Sequence, residues 1–129
     1  MQKMATNSDW LISEIDKAAN PKNLEKIVCA ANHYDDGKKH AHQPNGIKTG
    51  FVICGLRHHN CIYIFELFCA SINNRERNLL RKSCLQGFIT TKNRFVGREE
   101  AMQIAINAGQ VQERNLRADY IGLFSEDLY

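Results

Sequence analysis

Apolar positions along the chain repeat with a helical period in some stretches and with a strand period in others, and each changeover marks an element boundary. In "TNSDWLISEIDKAAN", Leu11, Ile15, Ala18 and Ala19 fall on one helical face. Thr6 and Asp9 have capping-box spacing. Pro21 in "NPKN" stops that helix, because proline drives Asn20 out of the α region. "KIVCAANHY" reads as a first strand and "GFVICG" as a second. Between them Tyr34 to Lys48, rich in Gly, Pro, Asn and charge, reads as a long loop or an exposed hairpin tip.

After Asn60, taken as an N-cap, apolar residues at 61, 62, 64, 65, 68, 69 and 72 predict a helix with a broad buried face. "NNRERNLLRKS" either ends that helix or forms a short second one, and its basic side reads as a solvated helix face. "GFITTKNRFV" predicts a hairpin with Lys92 and Asn93 at its tip, where asparagine tolerates positive φ. "REEAMQIAINAGQV" is the clearest helix: Ala101, Ile104, Ala105 and Ala108 share a face, Glu99 and Glu100 suit the first turn, and Gly109 suits the stop. Gly97 would be its N-cap. "ADYIGLFSEDLY" alternates enough for a short final strand. The expected architecture is an α+β domain over 21–129, a small antiparallel sheet with two main helices, preceded by an N-terminal helical extension over 1–20.

Composition narrows the function classes. A chain of 129 residues with 43% hydrophobic and 24% charged content is ordinary for one soluble domain. Its net charge of +3 favours anionic ligands but lacks the dense basic face of a duplex-binding protein. The five cysteines, at 29, 54, 61, 69 and 84, form no Cys-x-x-Cys pair, and four lie in or beside apolar runs. They read as reduced structural thiols, which points to a cytosol. "MQKMATNSDW" carries no apolar signal core, and the longest apolar run, Cys61 to Ala70, contains Glu66 and is too short to cross a bilayer. No membrane association is expected.

The stretch "GLRHHNC", Gly55 to Cys61, sets an arginine and two histidines between apolar runs. A metal site would gather His40 and His42 with His58 and His59, but no carboxylate or thiol sits at a standard ligand spacing. A catalytic base at His58 or His59 would need a nucleophile or orienting carboxylate that the neighbouring sequence does not supply. An anion cradle needs less. A helix start presents unpaired N–H groups and a positive dipole end, and Arg57 adds a planar fork of donors. "KNRFVGR" repeats the arrangement, with Arg94 and Arg98 around Phe95 at the second helix start. The bland alternative is that these arginines only pair with Glu99, Glu100 or the acidic tail.

"GLRHHNC", "QGFITTKNRFVGREEAMQIAINAGQV" and the closing "LFSEDLY" together resemble the Thoeris anti-defence proteins of the first type, a family of small phage proteins. The resemblance covers roughly the last hundred residues. It implies a sponge rather than an enzyme, acting in the cytoplasm of the infected bacterial host. Such proteins bind, without degrading it, the cyclic ADP-ribose derivative made by a TIR-domain sensor. They are an antiparallel sheet with two helices, assemble as homodimers and further as hexamers, and hold ligand between protomers. Some also hold cyclic oligonucleotides at a separate site. No cofactor is implied.

Transferred to matching positions, Arg57 and His58 become phosphate contacts, Phe88 and Phe95 stacking candidates, and Asn93, Arg94 and Arg98 polar contacts. Two departures stand out: the helix through Ala19 is an extension, and Gly97 occupies a place where aspartate is expected. Two other classes compete with the sponge: a phosphodiesterase cleaving a cyclic nucleotide, and a small nucleic-acid-binding protein using "NNRERNLLRK" and "KNR".

Overall fold

A computed structural model describes residues 24–111 and 122–129 of the chain. The N-terminal helix expected through Ala19 lies outside the described residues, as do residues 112–121. Four strands, β1 (Ile27–Tyr34), β2 (Phe51–Gly55), β3 (Leu85–Thr90) and β4 (Phe95–Gly97), form one antiparallel sheet in the order β2-β1-β3-β4. Among the described residues three α-helices accompany it: α1 (His58–Phe68), α2 (Asn74–Ser83) and α3 (Arg98–Asn107). The fold is α+β, as the alternation of periods predicts.

Helices α1 and α3 pack on the same face of the sheet. Small residues make this possible: Ala30, at the centre of β1, is fully buried, and the Cys61 thiol of α1 lies 3.7 Å from its carbonyl. Phe88, Val96, Ala101 and Ala105 complete this core with Leu123 of the tail. A second apolar cluster forms where Tyr34 stacks on Phe65 of α1, ring centroids 4.0 Å apart, with Cys69 beside them.

The other sheet face carries Cys29, Ala31, His33 and Phe95. The 35–50 loop folds over part of it: His33 donates Nε2–H to the Thr49 carbonyl, 2.8 Å. Gln43 Oε1 takes the edge N–H of Val52 at 2.9 Å, and the Asn45 N–H reaches the Asn93 carbonyl at 2.7 Å. Gly50 ends the loop at φ +87°, where an added Cβ would lie 2.3 Å from the Tyr34 carbonyl, so only glycine fits.

One detail settles an alternative the sequence leaves open, and two correct the sequence reading. "NNRERNLLRKS" is a separate helix capped by Asn73, whose side chain accepts the Glu76 N–H, and it buries none of its residues. The buried face of α1 is narrow, comprising His58, Cys61 and Phe65. Ile62, Ile64, Leu67 and Phe68 are exposed, as is Tyr63 at 66%. Residues 122–129 contain a 3-10 turn at Ser125–Asp127 rather than a strand, because Asp127 Oδ2 turns back to take the Phe124 N–H at 2.9 Å.

Candidate functional site

The "RHHN" junction folds tightly because Gly55 leaves room for it. A Cβ on Gly55 would come within 2.9 Å of Asn60 Cβ and 3.3 Å of Cys61 Sγ. Arg57, not Asn60, is the N-cap of α1. Asn60 stands three residues into the helix and reaches back, its Oδ1 accepting the Arg57 N–H at 2.9 Å. Asparagine is a good cap residue, but here it acts from the third helical position.

Arg57 and Arg98 are gathered by the chain's last residues. Arg57 Nη2 donates to a main-chain oxygen of Tyr129, and its guanidinium lies over the Tyr129 ring, 5.1 Å from the centroid. The Tyr129 hydroxyl in turn donates to the Leu56 carbonyl at 2.9 Å. Arg98 Nη1 donates to the Leu123 carbonyl at 2.6 Å, Nη2 donates to Gln86 Oε1 at 2.5 Å, and the guanidinium lies 4.4 Å from the Phe124 centroid. His58 follows Arg57 in the chain and feels the charge of Arg98. It is buried, donates Nε2–H to the Gly87 carbonyl at 2.8 Å, and meets Phe88 edge-on at 5.0 Å. Burial lowers the His58 pKa and the Arg98 charge adds to this, while the Gly87 hydrogen bond and Glu126 oppose it. The ring therefore favours its neutral form.

The electrostatic state of Arg57 decides what this corner can do. Its partners among the described residues are a main-chain oxygen of the last residue, Tyr129, and that residue's ring, and its charge lies near enough to Glu126 to lower that carboxyl's pKa. Nη1 is buried without any hydrogen-bond partner there. A guanidinium in that condition retains donor capacity and positive field beside a helix start, the arrangement that holds phosphate or carboxylate groups.

The remaining predicted residues lie elsewhere. Phe88 is fully buried in the core, so it supports His58 and offers no ring face to a ligand. Arg94 is held by carboxylates: Nε and Nη2 grip Glu25 at 2.8 and 3.0 Å, and Nη2 also meets Glu100 at 2.8 Å. Asn93 shapes the hairpin tip at φ 56° and receives the Asn45 N–H. Phe95 lies on the opposite sheet face, its ring covering Gly87 and meeting His33 at 5.9 Å. The seven residues thus divide among the Arg57 corner, the hairpin tip and the far face. His40 donates to Asp36 at 2.7 Å, and no group of three or more His, Cys, Asp or Glu suited to a metal exists among the described residues.

A cleft that the sequence reading missed opens at the other end of α1. It encloses about 590 Å³ between the 36–43 loop, β2, α1 and α2. Phe51, Ile53, Ile64 and Phe68 line its floor, with Lys38 and Glu76 at its rim. This volume lies within the range of small-ligand pockets. The paired aromatics Phe51 and Phe68, 5.4 Å apart, were the available signal, but they are distant in sequence.

Residues 26–129 match the family model described as Phage T4 y16D protein. The chain belongs to that family. The family's description carries a phage origin and no activity. No curated protein and no solved structure matches the chain. None of the helices among the described residues is long and apolar enough to cross a membrane.

Proposed function

We propose that this phage-family protein is an anti-defence sponge that sequesters a small nucleotide anion, a cyclic ADP-ribose derivative made by a bacterial TIR-domain sensor, and leaves it intact. The observation that carries the reading is the buried Nη1 of Arg57 at the start of α1, which has no hydrogen-bond partner among the described residues. His58 follows Arg57 in the chain, and the Arg57 and Arg98 guanidiniums each lie against an aromatic ring of the tail. Phosphate oxygens would complete the Arg57 donor set. The resemblance of "GLRHHNC", "GFITTKNRFVGREEA" and "SEDLY" to Thoeris anti-defence proteins supplies the ligand class. The site of action is the cytoplasm of the infected host.

Self-association is part of the same reading. Ile62, Tyr63, Leu67 and Phe68 expose apolar side chains along one helix, a pattern that marks association surfaces. A homodimer, or a hexamer built from dimers, would cover them. It would also offer a route by which Phe95, Asn93 and Arg94 of one copy approach Arg57 of another. A separate site for cyclic oligonucleotides belongs to the same proposal.

A sponge must bind its signal more tightly than the signal's working concentration, so affinity near nanomolar, about −12 kcal/mol, is expected. The test is to mix protein and cyclic ADP-ribose derivative, heat-denature, and chromatograph the supernatant. Stoichiometric recovery of unchanged ligand is the expected result. A hydrolysed product formed over many turnovers would reject sequestration and favour a phosphodiesterase. Retention of DNA or RNA with steep salt dependence, and no nucleotide binding, would favour the nucleic-acid reading.

A further inference from the structure

The donor on which the proposed function rests is buried. Arg57 Nη1 is shut off from solvent and has no hydrogen-bond partner among the described residues. An anion from outside can meet that nitrogen only if what covers it moves. Among the described residues, the ring against the Arg57 guanidinium is that of Tyr129, its centroid 5.1 Å from Cζ. Nη2 is already taken by a Tyr129 main-chain oxygen. One residue therefore covers the guanidinium and occupies one of its donors.

The tail is not held equally along its length. Leu123 is fixed: it is fully buried, its N–H donates to the Arg98 carbonyl at 2.9 Å, and its own carbonyl takes Arg98 Nη1 at 2.6 Å. A Cβ on Gly122 would lie 2.6 Å from Arg98 Cβ, so the chain passes close to the start of α3. Ser125 is buried, and Leu128 packs on the core. Tyr129 is 46% exposed, and its remaining tie is the 2.9 Å bond from its hydroxyl to the Leu56 carbonyl. Water replaces that bond at small net cost when the ring moves away. The weak point is the junction between Leu128 and Tyr129.

We propose, building on the anion-binding reading of this corner, that Tyr129 is a displaceable cover on Arg57, an internal competitor that an incoming phosphate evicts while Gly122 to Leu128 stay in place. Phosphate oxygens offer the guanidinium charge-assisted bonds at both Nη1 and Nη2, where Tyr129 offers a main-chain oxygen to Nη2 alone. The exchange therefore favours the anion once it is seated. While the cover is down the corner does not bind, so apparent affinity is reduced by the fraction of molecules that stand open. Glu126, whose carboxyl lies near the Arg57 charge, sits on the fixed part of the tail and is present in both states.

The test has two readouts on the full chain, and neither needs a nucleotide. Phenylglyoxal modifies accessible guanidiniums and blocks trypsin there, so conversion of the Thr49–Arg57 peptide into Thr49–Arg75 reports Arg57. Arg75 is exposed, and loss of cleavage after it gives the unhindered rate in the same chain. Native Arg57 should react about tenfold more slowly than Arg75, and Tyr129→Gly should remove most of that difference while leaving Arg98, held by Leu123, unchanged. Inorganic pyrophosphate, titrated by calorimetry, should bind Tyr129→Gly about tenfold more tightly than the native chain. Tyr129→Phe, which keeps the ring and loses the Leu56 bond, should fall between the two in both readouts. Circular dichroism checks that each variant is folded. Native Arg57 as reactive as Arg75, a folded Tyr129→Gly protein whose Arg57 reacts no faster, or one that binds pyrophosphate no more tightly, would overturn the proposal. A gain in both readouts, with no binding of any cyclic ADP-ribose derivative by the native chain, would uphold the cover and reject only the nucleotide reading.

Discussion

At the hairpin tip, Arg94 faces two carboxylates, with Glu25 gripped through two nitrogens and Glu100 through one. At the start of α1, Arg57 faces a main-chain oxygen, an aromatic ring and, on Nη1, no partner among the described residues. In the sequence the two look alike, each a basic residue beside a glycine-flanked junction. The fold spends the first charge on joining Glu25, ahead of β1, to the hairpin and α3. It leaves the second with one unmatched donor among the described residues, against Tyr129 and near the Glu126 charge. An arginine matched by anions of its own chain is structural. One with a donor left over can still take an anion from outside.

The most disruptive way to break this contrast is to loosen the helix that carries Arg57. Phe65→Ala removes the ring stacked on Tyr34 and should cost about 3–5 kcal/mol of stability, read by chemical denaturation. A smaller and more local change is Gly55→Ala. Its Cβ would press on Asn60, so we predict a loss of about 1–3 kcal/mol and a displaced α1 start, with the hairpin tip unaltered in amide chemical shifts.

Arg94→Ala should cost about 1 kcal/mol, since its ion pairs are partly exposed, and should leave nucleotide affinity within about threefold of the original. The subtlest test is pH. Burial lowers the His58 pKa, so the unfolded chain binds more protons in acid. That contribution to stability is fully present above the unfolded value of about 6.5 and is lost as pH falls below it. A bound phosphate would raise the His58 pKa, so binding should strengthen on mild acidification and take up protons. Calorimetry in buffers of different ionisation enthalpy detects that uptake, and His58→Gln should abolish it.

Much of the fold was legible because its signals are local. The "TTKNR" tip, the apolar spacing of α3 and the glycines around "FVIC" each settle their own conformation. The cap of α1 is not legible locally, because asparagine at Asn60 serves equally well as a cap or as the third-position partner of one. The broad apolar set on α1 was read as buried because periodicity reports a face without saying what covers it. Ile62, Ile64 and Phe68 show that limit.

The tail was read as a strand from its alternation, whereas the Asp127–Phe124 contact turns it. The candidate site was legible only in part. Arg57 and Arg98 are each held by the tail, through Tyr129 and through Leu123 and Phe124, contacts over 25 to 72 positions that no motif encodes. Phe88 is an apolar strand residue whose sequence context fits core and ligand contact alike; the observed burial places it in the core.

One titration bears most directly on the contrast between the two arginines. Calorimetry with a panel of cyclic and linear nucleotides, cyclic ADP-ribose derivatives among them, should be run on the native chain, Arg57→Ala and Arg94→Ala. The account predicts tight binding of a cyclic ADP-ribose derivative, kept in Arg94→Ala and weakened about a hundredfold or more in Arg57→Ala. Undiminished affinity in a folded Arg57→Ala protein, or no binding of any nucleotide by the native chain, would contradict it.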